Sequence, residues 1–335
     1  MWLQRFFCGR THQTKIGDSL SDMLFLLSGV IQGSTIGPLM FLIFINELIS
    51  LLENHGIKVK LFADDVKLYL RVINDADIIK LQSALDTLSD WAATWQLSIS
   101  VEKCCILNIG TITVAPLLSI NHTPLPILSS NRDLGVTIAH DLSPSTHICG
   151  IVAKAHHRAN TIHRAFVSRD VSLLLRAYLV YVRPLVESNS VVWSPFLKQD
   201  IDALERVQRR FTKRLPGFNN STYAERLSRL NLPTLELRRL HSDLTWCYKI
   251  LFGCVDMDSD DFFALSPNLQ TRGHHYKLFK QRSNTRVRST FFTERVVNIW
   301  NSLPSDTVNF SSLGAFKRSL QLVNFDEFLR YSLID

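Results

Sequence analysis

The sequence predicts an α+β fold, in which an antiparallel sheet with packed helices comes first and a helical region follows. Two short runs rich in apolar and β-forming residues flank an acidic turn between Val59 and Tyr69, a pattern typical of a β-hairpin. Further short β-like runs, separated by turn residues, occur between Cys104 and Ile138. From about His147 the apolar residues recur at the 3.6-residue period of helices. A chain of 335 residues is long enough for two or three compact units.

A glycine-rich loop over residues 28–38 is the first segment that suggests function. Before it, residues 1–28 are typical of the end of a helix and a short strand pair. After it, residues 39–53 are apolar on nearly every side in the early turns, so we expect a buried helix with Pro38 at its first position. A glycine-rich loop that opens a helix can aim N–H groups at a phosphate. Glycines also mark ordinary turns, so the loop alone is a weak signal.

The acidic turn is the second such segment. Asp64 and Asp65 lie at the tip of the predicted hairpin. Adjacent carboxylates repel each other, and a bound cation would offset that repulsion. Mg²⁺ is held by one or two carboxylates together with the phosphates of a substrate. Aspartate is also a common turn residue, and on this dipeptide alone a solvated surface turn is the simpler interpretation.

Beyond the hairpin, an amphipathic helix is predicted over residues 76–95, with Trp91 and Trp95 most simply assigned to the core. Further helices are predicted over residues 151–166, 172–187, 200–215 and 235–251. Residues 256–290 have the composition of a loop-rich linker, and residues 291–303 and 313–329 are predicted to form closing helices.

The helix predicted over residues 200–215 carries many basic residues. Its apolar stripe comprises Ile201, Leu204, Val207, Phe211 and Leu215. Five cationic side chains lie largely away from that stripe: Arg206, Arg209, Arg210, Lys213 and Arg214. Lysine and arginine neutralise phosphates regardless of base sequence, so this helix is the best candidate for contact with a nucleic-acid backbone. An ordinary solvated helix face fits nearly as well.

Charge is divided unevenly along the chain. Residues 1–150 contain 10 Lys and Arg against 13 Asp and Glu, a net charge of −3, whereas residues 151–335 contain 27 against 17, a net charge of +10. A basic part beside an acidic hairpin suits a protein that binds a polyanion.

Cysteine usage and apolar runs bear on location. The six cysteines form no Cys-x-x-Cys pair, so neither a disulfide framework nor a zinc site is indicated and a reducing compartment is favoured. The longest apolar run, residues 38–52, is interrupted by Asn46 and Glu47 and is judged too short to span a bilayer. The N-terminus has no apolar core of signal-peptide length. We therefore expect an intracellular protein that is neither secreted nor bound to a membrane.

Taken in order, these segments resemble the reverse transcriptases of non-LTR retrotransposons, particularly the jockey-like group. Ser28–Ser34 followed by Gly37-Pro38-Leu39 resembles the Gly-Gln-Gly-Ser loop of that family, and Phe62-Ala63-Asp64-Asp65 resembles its catalytic turn. The two motifs lie about thirty residues apart, which is far more specific than either motif alone. Later segments also match: Trp91, Trp95, Leu97 and Lys103-Cys104; Asp133-Leu134-Gly135-Val136 of the primer-grip region; and Tyr181–Leu185 with Leu204–Arg210 of the thumb. Two residues depart from the family pattern: Ile31 stands where the family usually has Pro, and Glu47 stands where it usually has Asp.

The resemblance implies a partial right-hand polymerase fold. Residues 1–142 would be a palm fragment, residues 143–255 a helical thumb-like region, and residues 256–335 a linker with a C-terminal helical extension. The implied activity is RNA-directed DNA synthesis with two Mg²⁺ ions, in which Asp64 is a catalytic metal ligand and Asp65 its supporting carboxylate. The implied partners are an RNA template, a DNA primer and deoxynucleoside triphosphates, in a nuclear or cytoplasmic ribonucleoprotein; nothing indicates an oligomeric state.

The remaining site residues follow from the same resemblance. Those implied near the template and the incoming nucleotide are Gln32, Gly33, Ser34, Phe62, Ala63 and Lys103. The family fold also needs an earlier strand carrying another Asp, a pattern that Asp18 and Asp22 do not fit. We therefore expect an N-terminally truncated fragment that polymerises little by itself. The alternative is a non-catalytic nucleic-acid-binding remnant of a retrotransposon, and an unrelated phosphotransferase is a weaker third option.

Overall fold

The computed structural model describes residues 2–110, 116–267 and 273–331. The chain divides into two compact units, residues 1–106 with 111–128 and residues 107–110 with 129–335. Helices and small antiparallel sheets both occur, so the predicted α+β class is confirmed at this level. The domain limits predicted at residues 142 and 255 stay predictions.

The first unit contains a short N-terminal helix, three longer helical segments and several short strands. Its helices are α1 (Trp2–Phe7), α2 (Ile36–Ile45), α3 (Glu47–Glu53) and α4 (Asp75–Thr94). Its strands are β1 (Thr11–His12), β2 (Lys15–Ile16), β3 (Ser19–Leu20), β4 (Leu24–Phe25), β5 (Lys58–Phe62), β6 (Asp65–Tyr69), β8 (Ser119–Ile120), β9 (Thr123–Pro124) and β10 (Ile127–Leu128), while β7 (Ile106–Leu107) lies at the division between the units. Antiparallel pairs join β1 to β4, β2 to β3, β5 to β6 and β8 to β9. The helix and short strand pairing predicted within residues 1–28 are confirmed.

The core of the first unit forms where α3 and α4 pack on the hairpin strand β5. Leu48 and Leu52 of α3 are fully buried there, together with Val59 of β5 and Ala84 of α4. Each of these residues lies on the inward face set by the periodicity of its element, which is why the cluster is continuous.

Helix α4 begins where the sequence provides a capping box. The Asn74 side chain accepts a hydrogen bond from the Asp77 backbone N–H at 3.3 Å, and the Asp77 carboxylate accepts from the backbone N–H groups of Asn74 and Ile73 at 3.3 and 2.9 Å. These bonds satisfy donors that the first turn of a helix otherwise leaves free.

We expect Asn74→Ala to destabilise the first unit by about 1 kcal/mol, because the cap on α4 is lost. Urea unfolding followed by far-UV circular dichroism would measure the change. Asn46→Ala is the matched control, since Asn46 precedes α3 without a side-chain capping bond. Equal effects of the two substitutions would contradict a capping role for Asn74.

The helical run of α2 and α3 differs from the prediction. Helix α2 begins at Ile36, so Pro38 is its third residue, and Leu39, Leu42 and Ile43 are 52%, 48% and 62% exposed. The prediction of a buried helix is therefore wrong for one face of α2. Residues 36–53 are also long and apolar enough to cross a membrane by length and composition alone, so the prediction that the run is too short is wrong. The α3 half packs in the core, and the absence of a membrane role stays a prediction.

The second unit is mainly helical. Its helices are α5 (Ser145–Ala165), α6 (Val171–Ala177), α7 (Ser190–Trp193), α8 (Lys198–Lys213), α9 (Tyr223–Leu230), α10 (Leu235–Leu251), α11 (Arg286–Thr290), α12 (Phe292–Asn301) and α13 (Leu313–Leu320). Its strands β11 (Ser130–Asp133) and β12 (Val136–Ala139) pair with each other, as do β13 (Ala264–Leu265) and β14 (Leu278–Phe279). One core cluster includes buried residues of α5, α6 and α8, and another includes buried residues of α10, α12 and α13.

The helix predicted over residues 172–187 changes its winding. Helix α6 ends at Ala177 and continues as a π-helical turn over Tyr178–Val182 and a 3₁₀ turn over Arg183–Val186. Pro184 lacks an N–H group, and its ring would clash with the carbonyl of the residue four positions earlier in a regular helix. The proline therefore accounts for the interruption of the helix.

Candidate active site

The hairpin of β5 and β6 presents the two predicted catalytic carboxylates. Phe62 pairs with Asp65, so Ala63 and Asp64 form a two-residue loop, and Ala63 takes a φ of +52°. Left-handed backbone costs a non-glycine residue roughly 1–2 kcal/mol, and the strand pairing on both sides holds it in place. Asp64 lies at the tip and Asp65 begins β6, so the predicted hairpin with its acids at the tip is confirmed.

Alternation along the two strands separates a buried face from a solvent face. Val59 and Leu61 of β5, with Val66 and Leu68 of β6, contribute to the core of the first unit. Phe62, Asp64 and Asp65 are exposed. The strands are thus anchored by their apolar face while the carboxylates stay accessible to a ligand in solvent.

The donor set at the tip fits a Mg²⁺ ion that is completed by substrate phosphates, because two carboxylates and phosphate oxygens are the ligands this ion takes in such sites. Within residues 2–110, 116–267 and 273–331, no group of three or more His, Cys, Asp or Glu side chains is placed to hold a metal ion. Asp64 and Asp65 therefore stand as a pair, without a third protein ligand among the described residues.

The Ser34 hydroxyl stabilises the conformation of the glycine-rich loop through two hydrogen bonds. The Ser34 hydroxyl donates to the Ile31 carbonyl at 2.7 Å and accepts from the Gly37 backbone N–H at 3.0 Å. A Cβ atom on Gly37 would lie 2.8 Å from the Ser34 Oγ and 2.9 Å from the Ile31 backbone carbonyl oxygen, so only glycine fits that position. Gln32 and Gly33 are exposed, and Gly33 takes a φ of +81°, which glycine adopts freely. In the described chain no hydrogen bond joins residues 32–34 to the turn at residues 63–65.

Three other residues from the motifs lie in the first unit. Lys103 ends a 3₁₀ turn over Val101–Lys103, and its side chain is exposed. Trp91 is buried, and its indole N–H donates to the Glu47 carboxylate at 2.8 Å, so its assignment to the core is confirmed. Trp95 is 46% exposed and packs edge-on against Phe44, with ring centroids 5.0 Å apart.

The Asp133-Leu134-Gly135-Val136 motif forms the turn between β11 and β12. Asp133 pairs with Val136, and the two residues between them take φ angles of +44° and +87°. Two positive φ angles in a two-residue loop are required by the turn that matches the twist of a hairpin. The motif therefore has a structural explanation in the second unit, where Val136 is buried.

A buried polar network holds the basic helix α8 in the second unit. Glu205 accepts a hydrogen bond from the Tyr223 hydroxyl at 2.5 Å and one from the Leu235 backbone N–H at 2.9 Å. Gln208 accepts from the Tyr178 hydroxyl at 3.1 Å and donates to the Tyr223 hydroxyl at 3.1 Å. Burial raises the pKa of the Glu205 carboxyl, although these hydrogen bonds oppose the shift. The Leu-Glu-Arg-Val-Gln-Arg-Arg motif thus alternates buried anchors with cations that face outward.

The cations of α8 are not equivalent. Arg206, Arg210, Lys213 and Arg214 are exposed. Arg209 is half-buried, and its guanidinium lies 5.9 Å from the centre of the Tyr223 ring and 3.5 Å from the Tyr331 hydroxyl. Four of the five predicted backbone-binding side chains are therefore accessible to a polyanion, and Arg209 also supports the packing around α9.

Sequence reasoning missed a cleft of about 310 Å³ between α5 and α8. Its polar lining comprises His156, Asn160, His163, Arg210, Lys213 and Arg214, over a floor of Ala159, Val207 and Phe211. The basic residues of α8 were visible in the sequence, but only the approach of α5 brings the two histidines beside them.

We expect the buried imidazole of His163 to make the second unit sensitive to acid. Burial, together with the nearby Arg214 and Arg169, lowers the pKa of its imidazole from 6.5 to about 4. Because the folded-state pKa is depressed, the neutral imidazole contributes stability that is present above pH 6.5 and is lost as the pH falls towards 4. We expect this loss to be about 3 kcal/mol.

Urea unfolding of the wild type and of His163→Gln at pH 7, 5 and 4 would measure that contribution. The variant should lose less stability on acidification, while the other buried histidines affect both proteins equally. Parallel pH profiles would show that His163 does not carry the effect.

A family match covers the part of the chain that contains the hairpin and the glycine-rich loop. Residues 2–139 match the family described as reverse transcriptase (RNA-dependent DNA polymerase). Over these residues the chain is similar to reverse transcriptases, in agreement with the resemblance of its motifs to the enzymes of non-LTR retrotransposons.

Several relatives come from mobile elements of Drosophila. The chain is 22% identical over 227 residues to the RNA-directed DNA polymerase from mobile element jockey of Drosophila funebris, covering 64% of this chain and 25% of that protein. It is 24% identical over 250 residues to the probable RNA-directed DNA polymerase from transposon BS of Drosophila melanogaster, covering 70% of this chain and 27% of that protein. The chain thus spans about a quarter of the length of these relatives. No solved structure matches it.

Proposed function

We propose that this chain supplies the catalytic turn and a nucleic-acid grip of an RNA-directed DNA polymerase. The observation that carries the proposal is the exposed Asp64–Asp65 tip, which lies within the residues that match the reverse transcriptase family. Residues 1–142 then act as the palm fragment, residues 143–255 as the thumb-like region and residues 256–335 as the C-terminal extension. The substrates are an RNA template, a DNA primer and deoxynucleoside triphosphates, inside a ribonucleoprotein of the nucleus or cytoplasm.

Asp64 and Asp65 would hold Mg²⁺ together with the phosphates of the incoming nucleotide. When bound, the metal ions neutralise charge on the transferring phosphate and activate the primer hydroxyl. Asp64 acts as the ligand at the tip, and Asp65 supports it from the start of β6. The hairpin pre-orients both carboxylates, because its apolar face is fixed in the core and its turn is closed by the pairing of Phe62 with Asp65.

Five other residues have proposed positioning roles beside these carboxylates. Phe62 and Ala63 shape the surface next to the metal ligands, and the exposed Gln32 and Gly33 of the loop closed by Ser34 face the template and the nucleotide. The exposed ammonium of Lys103 neutralises charge on the triphosphate. With two carboxylates in the described site instead of three, we propose that the isolated chain polymerises little.

We expect Asp64→Asn to weaken Mn²⁺ binding about tenfold in the presence of a deoxynucleoside triphosphate, because one of two anionic ligands is lost. Mn²⁺ is the probe, and electron paramagnetic resonance of the free ion measures binding to the full chain. Asp90→Asn is the matched control, since Asp90 is exposed on α4 away from the hairpin. Equal affinities in wild type and Asp64→Asn would refute the metal role.

Primer extension on an RNA template with Mg²⁺ tests the polymerase proposal in the same proteins. Little extension by the wild-type chain is the expected result. Sustained extension that disappears in Asp64→Asn would confirm the catalytic turn and refute the proposed low activity.

A non-catalytic nucleic-acid-binding role is the second candidate, and the exposed cations Arg206, Arg210, Lys213 and Arg214 of α8 favour it. Binding by these side chains would weaken steeply with salt, because each neutralised phosphate releases counterions. Salt-sensitive binding of an RNA–DNA hybrid that is unchanged in Asp64→Asn, without Mn²⁺ binding at the hairpin, would select this role.

A further inference from the structure

The cleft between α5 and α8 has a chemically one-sided lining. Arg210 and Lys213 come from α8, Arg214 directly follows that helix, and His156, Asn160 and His163 come from α5. The lining contains no Asp or Glu. Like charges gathered around one cavity repel each other, so this arrangement favours an anion that would offset the repulsion.

His163 points to a ligand independently of the surface charge. Its side chain is only 7% exposed, and its Nε2 atom is buried without a hydrogen-bond partner in the described chain. Most buried polar atoms in folded proteins have a hydrogen-bond partner, because leaving one without a partner lowers the stability of the folded state. The ring is fixed against Phe211, with centroids 4.6 Å apart.

The neighbouring donors are partly oriented already. The Arg214 guanidinium donates to the Asn160 side-chain carbonyl at 2.6 Å, which links the two walls of the cleft. Arg210 lies one helical turn before Arg214, so both guanidiniums lie on the same side of α8. Cations near the C-terminus of a helix also offset its dipole. That effect by itself explains why Lys213 and Arg214 lie at the C-terminal end of α8. It does not account for the unpartnered imidazole on the facing helix.

We infer that this cleft binds one phosphate group. Phosphate oxygens accept hydrogen bonds from several donors at once, and arginine forks fit them in bidentate geometry. Arg210 and Arg214 would supply the forks, Lys213 a further charge, and His163 a donor from the opposite wall. The phosphate is either one unit of a nucleic-acid backbone or a free phosphate; the backbone source rests on the proposed nucleic-acid role of α8.

Inorganic phosphate is the first probe, titrated into the full chain by calorimetry at low ionic strength. We expect saturable binding at one site, weakened about tenfold by Arg214→Gln through loss of a charge-assisted contact. Arg164→Gln is the matched control: it removes the same charge from an exposed position on α5 that does not line the cleft, and it should leave the affinity unchanged. Equal weakening by both variants, or binding that does not saturate, would overturn the inference and indicate diffuse surface charge.

A second readout follows the His163 ring by nuclear magnetic resonance. Its pKa is lowered by burial and by Arg214 and Arg169, and a phosphate anion in the cleft should raise that pKa towards its ordinary value. A titration of His163 that is the same with and without saturating phosphate would contradict binding beside its ring. This measurement needs no substitution of the buried side chain.

A labelled oligothymidylate without terminal phosphates distinguishes the two sources. If inorganic phosphate displaces it from the wild type, the cleft takes a backbone phosphate; if phosphate saturates the site without displacing it, the cleft takes free phosphate. Asp64→Asn should bind phosphate as the wild type does, so a failure of the proposed polymerase role and a failure of the phosphate site give different results.

Discussion

Glu205→Ala is expected to destabilise the second unit by about 3–5 kcal/mol, because it leaves buried partners of the carboxylate unpaired. Glu205 is fully buried on α8 and accepts hydrogen bonds from Tyr223 and from the Leu235 backbone. Arg239 is buried nearby; burial lowers the pKa of its guanidinium, and the charge of Glu205 opposes that shift. Removal of the carboxylate therefore leaves a hydroxyl, an amide and a guanidinium without their compensating acceptor or charge.

Urea unfolding monitored by circular dichroism at pH 7 would measure this loss. Glu205→Gln is the conservative control, because its amide oxygen can still accept from Tyr223, and it should cost less than the alanine substitution. Asp202→Ala removes an acid from the same helix, where Asp202 is only half-buried, and should have a small effect. A loss below 1 kcal/mol for Glu205→Ala would contradict the proposed importance of the network.

Trp300→Ala should cost the second unit about 3–5 kcal/mol, since a fully buried aromatic side chain is replaced by a cavity. Trp300 has no exposed surface, and its ring centroid lies 5.6 Å from that of Phe310 and 5.7 Å from that of Phe316. Its indole N–H donates to the Tyr276 carbonyl at 2.7 Å, and that bond is also lost.

The same unfolding measurement applies to Trp300→Ala, with near-UV circular dichroism to report on aromatic packing. Trp246→Ala is the matched control, because Trp246 lies in the same unit but is half-buried, with the Lys249 ammonium over its ring. It should lose clearly less stability. Equal losses in the two variants would mean that the complete burial of the Trp300 indole does not determine its contribution to the stability of the second unit.

Local periodicity accounts for the elements that the sequence predicted well. The sequence predicts the helix over residues 235–251 residue for residue and the hairpin around Asp64, because in both segments the apolar pattern matches the period of the element. Helix α9 was missed because it is short, although the Thr-x-x-Glu pattern of Thr222 and Glu225 that caps it is a recognisable signal.

Tertiary context accounts for what the sequence could not predict. The apolar composition of α2 gave no indication that one of its faces would remain exposed, since composition does not specify which neighbours are present. The sequence identified the pair of carboxylates at the hairpin, but the number of ligands around a metal depends on side chains from distant elements. The α5–α8 cleft likewise depends on the packing of two helices, and the histidines at residues 156 and 163 follow no pattern that signals it.

Among the described residues, β5 and β6 pair only with each other, and this has a consequence for solubility. Their sheet has two strands in the described structure, so the outer edge of each strand offers main-chain N–H and C=O groups for pairing with another chain. Lys58 and Lys60 are exposed along β5, and like charges on facing copies would repel. The two lysines therefore protect the hairpin against edge-to-edge self-association, and conditions that screen their charge should promote aggregation through this strand.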